Sequence, residues 1–191
     1  MLRKLTMKAD SEEGKTMMDF ITLAQERYSV RKFSEKAVEK EKLDLVLKAG
    51  QLAPTAANFQ PQRILVLNGE DELKKLRECT QYYFNAPLAL LVCYDKTVSW
   101  QRKNDSKNSG DIDASIVTTH MMMEAADIGL GSTWVMYFDP QKMKEIYEIP
   151  DNFEPVVLLV MGYPAEDAAP SRTHGQREEM NHTVFYNDFG D

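Results

Sequence analysis

The chain has 191 residues, 43% of them hydrophobic and 28% charged, with a formal net charge of -7, a length and composition that suit one domain with a sizeable core. No apolar run approaches the roughly 20 residues needed to cross a bilayer, and the acidic balance would repel a polyanion, so neither membrane insertion nor nucleic-acid binding is expected. The two cysteines, Cys79 and Cys93, have the spacing of neither a metal knuckle nor a redox pair, which points to a reduced, cytoplasmic setting.

Residues 1–16 carry Arg3, Lys4 and Lys8 with no apolar stretch behind them, and acidic Asp10, Glu12 and Glu13 follow. They are expected to form a disordered leader ahead of a single domain spanning 17–191. From Asp19, the apolar residues Phe20, Leu23 and Ala24 fall at helical spacing, and the basic cluster Arg27 to Lys32 stands near the helix end. A second helix is written over Glu39 to Gln51 by the stripe Leu43, Val46, Leu47 and Gly50, and Pro54 closes it. A turn from Ala53 to Pro61 leads into a short strand at Arg63 to Leu67, and Asp71 to Cys79 reads as a third helix.

After an irregular stretch, Leu88 to Tyr94 is apolar at every position, as a strand buried on both faces requires. Residues 95–110 are polar, with Trp100 as their one large apolar side chain apart from Val98, and are expected to be a mobile loop. Asp111 to Ile128 is the longest helical segment, apolar enough to be buried all round, and Gly129 and Gly131 end it. Strands follow at Ser132 to Phe138 and Val156 to Met161, with a short helix at Pro140 to Tyr147 between them, and Gly162-Tyr163-Pro164 breaks the last strand. The tail from Arg177 to Asp191 holds Val184, Phe185, Tyr186 and Phe189, too much apolar surface for a fraying terminus, so something must cover it. Helices around a central sheet define an α/β or α+β class.

Three segments carry chemistry. In Arg27-Tyr28-Ser29-Val30-Arg31, extended alternation would turn Arg27, Ser29 and Arg31 to one side. Two guanidinium groups and a hydroxyl suit a phosphate, although the same cations could merely balance a helix dipole. In Ala53-Pro54-Thr55-Ala56-Ala57-Asn58-Phe59-Gln60-Pro61, small side chains let backbone approach a flat ligand and Asn58 can both donate and accept; an ordinary turn has the same composition. Gly129 to Met136 follows a helix rather than a strand, so it is no dinucleotide fingerprint, and a glycine cap before a buried strand accounts for it equally. His120, His174 and His182 lack metal spacing, Met121 to Met123 read as core filler, and Asp111 and Asp113 as an acidic first turn.

Taken in order, Arg-x-Ser-x-Arg-x-Phe, Ala-Pro-Thr-Ala-x-Asn-x-Gln-Pro, the long apolar helix with Gly-Leu-Gly-Ser-x-Trp, and Gly-Tyr-Pro closely resemble the nitroreductase family from about Asp19 to Phe189. The resemblance implies an α+β, three-layer α-β-α fold with a central, mostly antiparallel sheet flanked by helices, built as an interlocked homodimer with exchanged C-terminal tails. It implies bound FMN at the interface, NAD(P)H as electron donor, and hydride transfer by a ping-pong cycle to a small oxidised acceptor such as a nitroaromatic or quinone. Other relatives perform reductive dehalogenation or flavin fragmentation, and a non-catalytic FMN-binding or redox-sensing protein would keep the same clamp.

Carried over by position, Arg27, Tyr28, Ser29 and Arg31 would hold the phosphate, ribityl chain and pyrimidine edge of FMN, with Arg31 facing negative charge at the pyrimidine end. Pro54, Thr55, Ala56 and Asn58 would reach it from the second subunit. Trp134, Val135, Met136 and Tyr137 would lie beside the ring, and Arg177 would meet the phosphate. Trp100 is the candidate acceptor contact. The chain departs from the family pattern at Gln62, where an aromatic is frequent, at Ala56, where serine is common, and at Arg177, which stands where some relatives have a basic pair.

Overall fold

The computed structural model describes residues 19–189, so the expected leader lies outside the described residues. The first helix, α1 (Phe20–Glu26), begins where the Asp19 carboxylate accepts hydrogen bonds from the Ile21 and Thr22 amides, satisfying donors that a helix start leaves open. Helices α2 (Lys40–Leu52), α3 (Glu70–Cys79), α4 (Gly110–Asp127), α5 (Pro140–Ile146) and α6 (Met180–Thr183) alternate with strands β1 (Gln62–Asn68), β2 (Leu88–Asp95), β3 (Gly131–Val135) and β4 (Phe153–Gly162). The strands form one sheet in the order β1-β2-β4-β3, and each neighbouring pair is antiparallel.

Strand β2 is buried at every residue, and its alternation divides the core into two layers. Leu88, Leu90 and Val92 pack with Val46 of α2 and with Val117 and Met121 of α4. Ala89, Leu91 and Cys93 face the other way, toward Leu76 of α3 and Met143 of α5. With helices on both faces the fold is three-layered α-β-α and of the α+β class. Each fully buried Leu or Met contributes about 1.5–3 kcal/mol.

Three expectations are corrected. Helix α4 is buried on one side only: Ala114, Val117, Met121 and Ala125 face the sheet, whereas Ile112 is 50% exposed and Thr119 and His120 are also exposed. Its outer face mixes apolar Ile112 with the polar Asp111, Thr119 and His120. Strand β3 stops at Val135, since the chain turns away with Phe138 N–H donating to Met136 C=O. Strand β4 starts earlier, at Phe153, because one extra residue, Val156, opposite Val92/Cys93 shifts the register and accommodates Pro155. Residues 96–109 form a loop, as expected, in which Gln101 bridges Asn108, the Arg102 and Lys107 backbones pair, and the Asn108 side-chain amide donates to Ser99 Oγ.

Candidate functional site

After α1 the chain becomes extended and runs along the free edge of β3. Ser29 pairs in parallel with Ser132, the Val30 N–H donates to Ser132 C=O at 3.0 Å, and the Thr133 hydroxyl donates back to Val30 C=O. Val30 is buried at 2% exposure and anchors the segment, leaving its neighbours at the surface. Gly131 permits this approach, because a Cβ there would sit 2.5 Å from Val30 Cγ2. Gly129, at φ +79°, is the left-handed cap that ends α4, so the two glycines have different tasks.

Two clefts lie along β3. Arg27 and Tyr28 line the first, of about 210 Å³, with Gly129, Gly131, Ser132 and Pro164. Arg31 lines the second, of about 400 Å³, with Trp134, Val135, Met136 and Tyr137, joined by Tyr82 and Phe84. Arg27 and Arg31 are therefore divided between adjoining clefts, Ser132 lining one and Thr133 the other. Met136 and Tyr137 are 68% and 74% exposed, which makes the end of β3 an open platform. The Tyr137 N–H has no acceptor among the described residues.

Tyr82 and Phe84 are not legible as site residues in the sequence; the available signal is a run of aromatics, Tyr82-Tyr83-Phe84, in an otherwise irregular stretch. Tyr82 meets Tyr137 edge-on with ring centroids 5.4 Å apart. Phe84 and Asn85 both take left-handed backbone, φ 54° and 53°, a conformation that costs non-glycine residues free energy.

The Pro54–Asn58 segment lies elsewhere and lines neither cleft. Its 3-10 turn (Ala56–Asn58) has left-handed residues at Ala57 and Asn58, and Pro54 and Asn58 are exposed while Thr55 and Ala56 are half-buried. Thr55 Oγ1 accepts from the Gln60 N–H, and Ala56 N–H donates to Asp113 Oδ1 at 2.8 Å. Asp113 is thus a buried anchor, also receiving the Ser109 hydroxyl at 2.7 Å, in addition to being an acid in the first turn of α4.

In the tail, Arg177 donates to the His174 and Gln176 carbonyls, and the His174 ring stands edge-on to Tyr28 with a nitrogen 3.1 Å from Gln25 C=O. This chains Arg177 to the end of α1. Trp100 is half-buried, its C=O accepting from Ser109 N–H, and it lines neither cleft. Arg27, Arg31 and Arg177 have no carboxylate partner among the described residues, while Arg63 pairs with Asp95 and Arg102 with Asp105. Arg31 at the open apolar platform and Arg27 in the adjoining cleft, neither with a carboxylate partner among the described residues, fit a flat ring with an anionic tail.

Cys79 and Cys93 are free and buried, and burial pushes the Cys79 thiol up and the Cys93 thiol up to about 12. Among the described residues no group of three or more His, Cys, Asp or Glu side chains is placed to hold a metal ion, and no helix is long and apolar enough to cross a membrane.

The sequence pattern of the Nitroreductase family matches residues 24–82 and 78–163. An FMN reductase (NAD(P)H) of Bacillus subtilis strain 168 is 26% identical over 188 residues, covering 89% of this chain and 75% of its own. Among solved structures, a nitroreductase family protein from Clostridium difficile 630 superposes with a TM-score of 0.84 at 43% identity, over 90% of this chain and 99% of that one. An FMN-dependent nitroreductase from Clostridium difficile R20291 superposes with a TM-score of 0.73 at 29% identity, over 89% of this chain and 100% of the other.

Proposed function

This chain belongs to the nitroreductase family, and on that premise we propose that it is an NAD(P)H-dependent FMN oxidoreductase. Its acceptor is a small oxidised molecule such as a nitroaromatic or a quinone, and donor and acceptor use one place in turn. The observation that carries this reading is the convergence of Arg31 with Trp134, Val135, Met136 and Tyr137 in one cleft that adjoins Arg27 and Tyr28. The names of the B. subtilis and C. difficile R20291 relatives support the same cofactor.

When bound, FMN supplies the ring that takes up and gives out hydride. The chain supplies binding and orientation. Arg27 and Arg177 bring permanent charge and forked donors to the phosphate, Tyr28 and Ser29 flank it, and Arg31 stabilises negative charge at the pyrimidine end of the ring. The unpaired Tyr137 N–H is a donor for a ring nitrogen, and the exposed Met136 and Tyr137 leave one side open to substrates.

The active unit is a homodimer. Pro54, Thr55, Ala56 and Asn58 serve the site of a second copy, and the exposed Phe185, Tyr186 and Phe189 of the tail are covered by it. The test is anaerobic mixing of FMN-loaded protein with NADH and with NADPH: bleaching of the flavin band within seconds, and its return when 2-methyl-1,4-naphthoquinone is added, is the expected result. Colour that persists with both donors would overturn the reading.

A further inference from the structure

Two polypeptide segments wall the cleft that holds Arg31. One is the chain leaving β3, Met136 and Tyr137; the other is the irregular stretch Thr80 to Asn85 that carries Tyr82 and Phe84. They come from separate parts of the sequence, and one side chain links them directly. Thr80, 6% exposed, donates its hydroxyl to Tyr137 C=O at 2.6 Å and accepts the Tyr82 N–H at 3.0 Å. A single oxygen therefore holds the backbones of both tyrosines whose rings meet edge-on.

We propose that Thr80 is a positioning residue of this cleft: its buried hydroxyl clips the Tyr82 segment to the Tyr137 segment and so fixes where the tyrosine pair stands at the open side of the ring site, and with it the room left there for the acceptor. The inference rests on the proposed oxidoreductase reading and adds to it a residue that touches neither substrate nor cofactor. Three details support a positioning role over simple packing. A neighbouring tether, Asp139 N–H to Cys79 C=O at 2.9 Å, already ties α3 to the start of α5, so the Thr80 hydroxyl is not needed to keep these elements together. The Tyr137 backbone has no other hydrogen bond among the described residues, its carbonyl bound only by Thr80 and its N–H free. Phe84 and Asn85, four and five residues beyond Thr80, are held left-handed, a conformation that persists only where surrounding contacts fix it. Clamping the Tyr137 carbonyl fixes that residue while leaving its N–H for a ligand.

The experiment compares the FMN-loaded protein with Thr80→Val, Thr80→Ser and Tyr82→Ala. Thr80→Val keeps the size of the side chain and removes the hydroxyl. It is expected to raise KM for 2-methyl-1,4-naphthoquinone by about tenfold, as a small misplacement of a binding wall does, with a smaller change in kcat and with flavin content retained. Thr80→Ser restores the parent KM, and Tyr82→Ala, which deletes the positioned ring and leaves the clip, raises KM on its own. Amide exchange at Tyr82 quickens on the order of fivefold in Thr80→Val, the loss of one ordinary hydrogen bond, and returns in Thr80→Ser.

A parent KM in Thr80→Val, or a serine variant that fails to restore it, overturns the proposal. If Thr80→Val does not fold, an unchanged KM in Tyr82→Ala overturns it instead. Parent protein that takes up no FMN defeats the oxidoreductase reading and with it the catalytic role, whereas unchanged Tyr82 exchange in folded Thr80→Val defeats the clip alone.

Discussion

A methyl group added at Gly131 would lie 2.5 Å from Val30 Cγ2 and 3.1 Å from Pro164 Cγ, and at least one of them must move. Because Val30 anchors the Ser29 and Arg31 backbone to β3, Gly131→Ala is expected to cost about 1–3 kcal/mol of stability and to release FMN, measured by thermal melts and by flavin retained on gel filtration. Arg27→Ala removes the charge proposed to meet the phosphate and should weaken FMN binding by about tenfold or more, the equivalent of about 1.5–3 kcal/mol, read by titration of apoprotein with FMN. Asp113→Ala strands the Ala56 N–H and the Ser109 hydroxyl, and should cost about 1–3 kcal/mol while speeding amide exchange at Ala56. The motifs around Arg27 and Trp134 are legible in the sequence because local spacing carries them. The roles of Thr80, Tyr82 and Asp113 are not, since each depends on a partner more than 50 residues away, as in Thr80 to Tyr137 and Ala56 to Asp113.

At the scale of elements, the end of β2 is fixed by one carboxylate. Asp95 accepts from the Thr97 hydroxyl and amide, the Asn152 side chain and Arg63 Nη2, and these contacts, the Thr97 hydroxyl foremost, hold its pKa down at about 2 from an ordinary 3.8. A depressed folded-state pKa stabilises fully above the unfolded value and ceases to do so as pH falls through the folded one. The contribution should therefore fade between about pH 4 and about pH 2. Glu39, held at about 2 chiefly by the Tyr163 hydroxyl, adds to the same limb. Asp95→Asn is expected to lower Tm at pH 7 and to flatten the acid limb of a Tm-against-pH curve; an unchanged limb would show that the network does not bear on folding. The strand pattern of β2 was readable because both its faces are apolar. The sidedness of α4 was not: Ile112 on its outer face and Thr118 on its buried face break the apolar pattern that would tell the two apart.

For the whole molecule, Phe20, Ile21 and Leu52 are exposed at 67%, 62% and 69%, Ile112 at 50%, and Tyr186 and Phe189 at 83% and 84%. So much apolar surface on a single copy is expected to be buried between two. Sedimentation should give twice the 21.9 kDa of one chain, and Ile112→Glu should shift it toward one chain and lower flavin content in parallel. A sedimenting single chain that keeps its flavin would separate the site from the assembly. The sequence signals a need for cover through its aromatic tail, whereas the exposed face of α4 appears only once the helix is seated on the sheet. The chain's two sulfhydryls, Cys79 and Cys93, are shut inside the layers with their protons held tightly. Iodoacetamide at pH 8 should modify neither until the protein is denatured. Alkylation at these two cysteines is therefore governed by how often the fold opens, and its rate reads out that opening.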